Sequence, residues 1–159
     1  MKFINCKRKE KTLRNTMSIE NTYVYFALTG GEFDTQIATE RLGIVPTEKW
    51  NKGDIGKYKQ TLGYSCWKLS SQKGKKYIMI DSLVDEVVGL LFDKIEIINE
   101  LKNKFELDSV LEIVMYIDIN EEQSTPALGH DLKTIEFLHR TQTRTDVDIY
   151  RFNSANNET

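Results

Sequence analysis

The chain of 159 residues carries 22 lysine and arginine side chains against 24 aspartates and glutamates, and 40% of its residues are hydrophobic. This length and composition fit one globular domain with its own core, and they exclude collagen-like, disulfide-scaffold and strongly disordered classes. The charge is uneven, because residues 1–16 contain six basic side chains and one glutamate. We therefore expect a basic, disordered leader over residues 1–16 and an acidic folded body after it.

The first strand and the first helix of the body follow from local sequence signals. Residues 21–29 are rich in β-branched and aromatic side chains and end at a Gly-Gly pair, which predicts a strand and a turn. Asp34 is placed to accept free backbone N–H groups of a following helix, and Gly43 is placed to end that helix. The predicted apolar face of the helix consists of Ile37, Ala38 and Leu42.

The next segment, residues 46–65, has no hydrophobic periodicity and contains several lysines and glycines. We predict a long loop, and loops of this length are more often functional than short connections are. Residues 66–69 predict a short strand in which alternate side chains, beginning with Cys66 and Trp67, point to opposite faces. The β-like run over residues 77–80 predicts either the second strand of a hairpin or an entry into the next helix.

The strongest helical pattern in the chain begins at Ser82, with Asp85 three residues on in the manner of a capping box. The apolar face of this long helix consists of Leu83, Val87, Leu90, Leu91, Ile95, Ile98 and Leu101. Residues 109–120 then switch to a period of two, which predicts a strand with one buried face.

A third helix is predicted with Thr125 as its cap and Pro126 as its first residue. Its predicted apolar face consists of Leu128, Leu132, Ile135 and Leu138. Residues 145–152 predict the last strand, and the polar residues 153–159 are expected to be a disordered tail. The expected organisation is one α+β domain over residues 17–152 between the leader and the tail.

Strands with one apolar face and helices with one apolar stripe predict a two-layer sandwich, in which the helices cover one face of the sheet. We expect an α+β fold with a mainly antiparallel or mixed sheet. The predicted topology is a ferredoxin-like core, in the order strand-helix-strand-strand-helix-strand, with an added helix and strand. The order of the strands within the sheet stays open at this point.

Residues that carry chemistry form few recognisable motifs. His130 and His139 lie nine positions apart on the third predicted helix, so they point in roughly opposite directions and predict no metal site. The chain has no nucleophile motif and no glycine-rich phosphate-binding motif. We therefore expect no cofactor and favour a non-enzymatic protein, the alternative being an enzyme that uses Asp54, Asp146 or Asp148 as a general base.

Acidic residues recur on two predicted strands. Asp146 and Asp148 alternate on the last strand and project from the same face, where they could join Glu112 and Asp118 in an acidic patch. The favoured interpretation is the water-facing side of a one-sided sheet, because the ligand spacing of a cation site is missing. An acidic face is also a natural docking surface for a basic protein partner.

A second group of candidate residues surrounds two tryptophans. Its members are Trp50, Lys52, Gly53 and Asp54, with Trp67 downstream. Aromatic side chains between lysines can stack bases or hold a small anionic or polar ligand. Packing of the loop on the sheet is the favoured interpretation, and nucleic-acid binding is not expected because the body of the chain is acidic.

Several of these segments resemble a known family. Residues 23–54, the Ser-Cys-Trp-Lys-Leu-Ser-Ser run at 65–71, the long helix and the closing Asp-Val-Asp-Ile-Tyr are similar to the bacterial domain-of-unknown-function 4279 family. The most specific part is the Leu-Gly-Ile-Val-Pro-Thr-Glu-Lys-Trp-Asn-Lys-Gly-Asp segment at 42–54. The resemblance implies a small bacterial cytosolic protein of compact α+β type, with some relatives linked to toxin and immunity gene clusters. It implies no catalytic residues.

The leading functional hypothesis is a non-catalytic, cytoplasmic module of immunity or regulatory type that binds a basic protein partner. It depends on the acidic body and on the lack of a catalytic motif. We expect neither secretion nor membrane insertion, because residues 1–16 lack an apolar h-region and no apolar run reaches the ~20 residues of a membrane-spanning helix. The alternative is a small anionic or polar ligand at Trp50, Lys52 and Trp67.

Overall fold

Five strands form one sheet in the computed structural model, which describes residues 17–72 and 79–157. The strands are β1 (Tyr23–Gly30), β2 (Glu48–Trp50), β3 (Ser65–Ser70), β4 (Asp108–Asp118) and β5 (Arg144–Phe152). Their order is β2-β3-β1-β4-β5, and all neighbours are antiparallel except β4 and β5. The first four strands therefore have the order and directions of a ferredoxin-like sheet, so the predicted topology is confirmed.

Four helices pack on one face of this sheet. They are α1 (Thr35–Leu42), α2 (Ile80–Leu91), α3 (Ile95–Phe105) and α4 (Leu132–Thr141). Buried apolar side chains from all four helices and from β1, β3 and β4 form the main core. The predicted one-sided α+β sandwich is confirmed, and the sheet face opposite the helices is called the open face below.

The strand β2 lies inside the segment that was predicted to be a loop. It pairs with β3, so that Trp50 lies opposite Cys66. Three residues are too few to show a period of two in the sequence. The strand β2 forms because its backbone pairs with the edge of β3. The predicted hairpin over residues 77–80 is only partly testable, since residues 73–78 lie outside the described part of the chain and Ile80 is the first residue of α2.

The long predicted helix is two helices. It begins at Ile80 without a side-chain cap, so the capping box at Ser82 is wrong, and the 3-10 segment Phe92–Lys94 separates α2 from α3. A straight helix from Ile80 to Phe105 would be ~39 Å long, whereas an eight-residue strand such as β1 spans about 27 Å. The break lets both helices bury their apolar residues in the same core, although Leu90 is exposed.

The helix α4 differs from its prediction in both start and face. It begins at Leu132, and Asp131 caps it by accepting the Thr134 N–H at 2.7 Å. Three residues of the predicted face are exposed, with Leu132 84%, Ile135 50% and Leu128 47% accessible. Leu138 does pack against the main core, and Phe137, which was not part of the predicted face, is fully buried. The helix α4 turns the side that carries Phe137 toward the sheet, because the Phe137 ring fills space in the main core.

The chain termini are described in part. The predicted leader, residues 1–16, lies outside the described residues, as do residues 158–159 of the predicted tail. Before them, Ser154–Asn157 forms a 3-10 turn, in which the Ser154 N–H donates to Asp118 Oδ1 at 3.0 Å. The division of the chain into a leader, a domain and a tail stays a prediction.

Candidate functional site

The two tryptophans lie on opposite faces of the sheet. Trp50 is buried on the open face, where it pairs with Cys66 across β2 and β3. Trp67 is buried on the helix-covered face, and its Nε1 donates to Thr39 Oγ1 of α1 at 3.2 Å. The structure therefore does not bring these two indole rings into one pocket.

The turn after Trp50 ties β2 to α1. Asn51 Oδ1 accepts both the backbone N–H and the hydroxyl of Thr35, each at 3.0 Å, at the first residue of that helix. Asp54 Oδ2 accepts the Asn51 N–H at 2.8 Å, and Gly53 takes a φ of +93°, which favours glycine. Asn51, Gly53 and Asp54 thus stabilise the turn, which agrees with the packing interpretation of this segment.

Lys52 belongs to the same turn and forms an ion pair with Glu32, two residues after the end of β1. Its backbone N–H donates to Ser65 Oγ at 3.0 Å, and its Nζ lies 2.6 Å from Glu32 Oε1. The hydrogen bond from Lys52 and the charge of Lys52 lower the pKa of the exposed Glu32 carboxyl. The Lys52 ammonium group is therefore engaged in a surface ion pair.

Three polar side chains are buried near the centre of the open face. Tyr25 is 2% exposed, Lys68 is 9% exposed and Glu112 is completely buried. Tyr25 lies opposite Glu112 in the β1–β4 register, and Lys68 Nζ lies 4.0 Å from the centre of the Tyr25 ring. The prediction that β4 has one buried face is wrong at Glu112, because both sides of the central strands are covered.

Burial and charge act together on Tyr25. Burial is the larger cause and the nearby Glu112 carboxylate the second, and both raise the pKa of the Tyr25 phenol above its ordinary value. The phenol therefore keeps its proton well into the alkaline range. Lys68, whose Nζ also lies 3.7 Å from Glu48 Oε2, supplies a cation beside the ring.

A small second core covers part of the open face. It contains the buried side chains of Tyr25, Ala27, Trp50, Cys66, Val110 and Val114. Leu62 and Tyr64 pack against it from the segment between β2 and β3, and the rings of Trp50 and Tyr64 meet edge to face at 5.8 Å. The segment that was predicted to be a long loop therefore covers the sheet near Trp50.

The last strand completes an acidic and aromatic surface. Asp146 pairs with Glu112, Asp148 with Val114 and Tyr150 with Tyr116 across β4 and β5. The rings of Tyr116 and Tyr150 stack at 5.0 Å with an angle of 18° between them, and Tyr150 is 44% exposed. We call Glu112, Tyr116, Asp146, Asp148 and Tyr150 the β4–β5 patch.

The β4–β5 patch joins predicted and unpredicted residues. Asp146 and Asp148 do share a face with Glu112, as the alternation indicated, whereas Asp54 lies in the turn beside α1. The aromatic partners Tyr116 and Tyr150 were missed as site residues. Their signal was present, since each alternates with acidic residues along its strand, but only the register of β4 and β5 places the two rings together.

The helix layer holds a groove that the sequence did not predict. It has a volume of about 470 Å³, lies between α1 and α3, and is lined by residues that include Ile37, Leu101 and Phe105. Arg41 and Glu100, which form an ion pair, also line it. None of the candidate residues from the sequence lines this groove.

The histidines do not form a common site. His130 Nε2 lies 3.3 Å from Thr145 Oγ1, while His139 lies in the last turn of α4. Within residues 17–72 and 79–157, no group of three or more histidine, cysteine, aspartate and glutamate side chains could hold a metal ion. No helix in the described part of the chain is long and apolar enough to span a bilayer.

These features define a two-layer α+β protein whose sheet has a helix-covered apolar face and an open polar, aromatic face. A family model described as "Domain of unknown function (DUF4279)" matches residues 20–152. The chain therefore belongs to this family, and the resemblance seen in the sequence is confirmed. No curated protein and no solved structure matches the chain.

Proposed function

We propose that the protein is a non-catalytic module that binds a basic protein partner through the β4–β5 patch. The observation that carries the proposal is the stacked pair Tyr116 and Tyr150 beside Asp146 and Asp148, on a sheet face that none of the described helices covers. Such a surface combines an aromatic platform with negative charge.

The chemistry of the patch suits lysine and arginine side chains. Tyrosine rings attract cations and are enriched among residues that dominate protein interfaces. Strand alternation places the side chains of Asp118, Asp146 and Asp148 on the open face together with Arg144, while Glu112 on the same face is buried. A basic partner is therefore favoured both in its approach and in its final orientation.

The groove in the helix layer shares no lining residue with the patch, so a small ligand in that groove would not contact the patch. Small-molecule sites are usually concave, and the groove between α1 and α3 lies on the other side of the sheet from the patch. The alternative site at Trp50, Lys52 and Trp67 has less support, because the sheet separates the two indole rings. We therefore give the protein-binding function precedence.

An affinity experiment with matched variants tests the proposal. The wild-type chain and the double variant Asp146→Asn, Asp148→Asn would each be used to capture proteins from a lysate of the native host. Asparagine keeps a carbonyl oxygen for the Val147 N–H, which donates to Asp146 Oδ1 at 3.0 Å, while it removes the charge. We expect one basic protein at stoichiometric yield with the wild type and its loss with the double variant.

A control variant separates the patch from net charge. Glu40→Gln combined with Asp85→Asn changes the charge equally at exposed positions of the helix layer, so it should retain the partner. Recovery of the same protein by all three chains would exclude the patch as the binding surface. Capture of background proteins alone, by every chain, would contradict the proposed function.

The proposal also includes a location in the bacterial cytoplasm and a role of immunity or regulatory type. Family membership supports neither of them directly, and both stay predictions. Fractionation of the native host, with detection of the untagged chain, measures the compartment. An immunity role would be supported if expression of the captured basic partner alone stops growth and co-expression of this chain restores it.

A further inference from the structure

We infer that the outer edge of β5 binds an extended basic segment as a sixth strand of the sheet. The inference rests on the proposed function and specifies how the partner is recognised. Strand addition to an exposed sheet edge provides affinity through backbone hydrogen bonds and specificity through alternate side chains.

The backbone of β5 has one side available for such pairing. This strand is last in the sheet order, and β4 is its neighbour among the described strands. The Phe152 carbonyl accepts the Ile119 N–H at 2.8 Å, which places the backbone groups of even-numbered β5 residues toward β4. The N–H and C=O groups of Thr145, Val147, Ile149 and Arg151 therefore face outward.

The local hydrogen bonds agree with this assignment. The outward N–H of Val147 donates to the side chain of Asp146, its neighbour in sequence, at 3.0 Å. An incoming strand would replace this hydrogen bond with two new interactions. Its carbonyl would accept the Val147 N–H, and its cationic side chain would lie beside the negative charge of Asp146.

The side-chain spacing of β5 selects the sequence of the incoming segment. Asp146 and Asp148 lie on the same face and are about 6.6 Å apart along the strand, and an added strand has the same repeat. Lysine or arginine at alternate positions would therefore meet both carboxylates on the open face. The neighbouring Tyr150 ring offers a contact to the next side chain in the series.

A second copy of this chain fits the edge less well. Antiparallel pairing of two β5 strands over their full length is centred on Asp148, which places the two Asp148 carboxylates directly opposite each other. Like charges directly opposite one another destabilise a strand pair. Negative charge on the edge strand therefore disfavours pairing of two copies of this chain. The same charge attracts a basic partner.

Backbone-methylated peptides test the inference. The probe is a short capped peptide of alternating lysine and threonine, titrated into the full chain. In an antiparallel sixth strand with lysines opposite the aspartates, the threonine N–H groups face β5 and the lysine N–H groups face solvent. N-methylation of the threonines should therefore abolish binding, whereas N-methylation of the lysines should leave it nearly unchanged.

The opposite methylation pattern would indicate a parallel sixth strand, which also supports the inference. Equal binding of both methylated peptides and of a block peptide, with all lysines before all threonines, would overturn it. That result would leave the proposed function standing as recognition of charge alone. Failure of every basic peptide and of the native partner to bind would contradict both proposals.

A variant of β5 provides the complementary test. Ile149→Pro removes an outward N–H without removing a bond to β4, and edge strands tolerate proline at such a position. Ile149→Ala removes a similar side chain and keeps the N–H. We expect about tenfold weaker peptide binding for Ile149→Pro than for Ile149→Ala, the effect of one backbone hydrogen bond.

Circular dichroism and thermal unfolding of both variants would establish that the fold is retained. Equal peptide affinities for the two folded variants would overturn the inference. Sedimentation equilibrium of the wild type adds an independent result, because a dimer that Ile149→Pro disrupts would assign the edge to a second copy. If Ile149→Pro is unfolded, the methylated peptides decide the question on the wild type.

Discussion

The two faces of the same sheet differ in chemistry, although they are built from the same strands. Phe26, Trp67 and Leu111 point toward the helices and are fully buried among apolar side chains. One residue away along each strand, alternate positions such as Tyr25 and Glu112 point to the open face. The helix-covered face has the composition of a core, whereas the open face combines aromatic, acidic and basic groups.

This difference separates stability from recognition. Burial of an aliphatic or aromatic side chain stabilises a fold by roughly 1.5–3 kcal/mol, whereas burial of a charged group is costly without a compensating partner. Lys68 and Glu112 therefore do not owe their positions to a hydrophobic driving force. Titratable groups with perturbed pKa values cluster at functional sites, and the raised pKa of Tyr25 on this face agrees with the proposed role of the open face.

The largest expected effect is on the helix-covered face. Phe137→Ala should lower the free energy of unfolding by about 4 kcal/mol, because it removes a fully buried ring that meets Phe26 edge to face at 5.8 Å. Ile135→Ala, two positions earlier on α4 and half exposed, should change it by less than about 0.5 kcal/mol. Urea unfolding of both variants measures the difference, and a larger loss for Ile135→Ala would show that the sequence-predicted face is the packed one.

A smaller effect is expected where the helix layer meets the sheet. Lys102 Nζ donates to Ser109 Oγ at 2.7 Å and to the Thr141 and Gln142 carbonyls at 2.6 and 3.0 Å, which joins α3, β4 and the end of α4. Lys102→Met should therefore cost about 2 kcal/mol.

Lys104→Met is the matched control for this prediction. Its ammonium group lies on the exposed side of α3, 5.2 Å from the centre of the Phe105 ring. The control should unfold close to the wild type in the same urea titration. Equal losses for the two variants would mean that the three bonds of Lys102 contribute no more than a surface charge does.

The pH dependence of stability in the alkaline range should report on Tyr25, the buried phenol of the open face. The pKa of Tyr25 is raised in the folded state, so above pH ~10 the unfolded chain releases this proton first and binds fewer protons than the folded chain. Stability should therefore fall with rising pH, by up to about 1.4 kcal/mol for each pH unit from this group.

Tyr25→Phe removes this contribution, so its stability should fall less steeply than that of the wild type between pH 10 and the alkaline unfolding limit. Tyr58→Phe, at an exposed position, is the control and should follow the wild type. Denaturant unfolding at several pH values measures the slopes. Parallel slopes for wild type and Tyr25→Phe would contradict the burial of an ionisable phenol on the open face.

The smallest effect is expected in the turn that links the two layers. Asn51→Ala removes the acceptor of two hydrogen bonds from Thr35 and should cost about 1 kcal/mol, the typical effect of losing a helix-terminal acceptor. Asn103→Ala, at an exposed position of α3, should have little effect. Thermal unfolding compares them, and an unchanged midpoint for Asn51→Ala would reopen a ligand-binding role for this turn.

The sequence alone determined the features that depend on neighbouring residues. The strand at β1, the cap at Asp34 and the end of α1 at Gly43 were predictable, because each follows from local backbone preference. The alternation along β4 and β5 also assigned Asp146 and Asp148 to one face with Glu112. These local signals together were sufficient for the one-sided α+β architecture.

Only the tertiary structure decided which surfaces meet. The apolar stripe of Leu132 and Ile135 looked like a core face, yet α4 buries Phe137 because that orientation fills the space beside Phe26. Likewise, β2 forms only against the edge of β3, and the two tyrosine rings of the β4–β5 patch stack only in the observed register. Periodicity reports which residues share a face, but packing between distant segments determines what that face contacts.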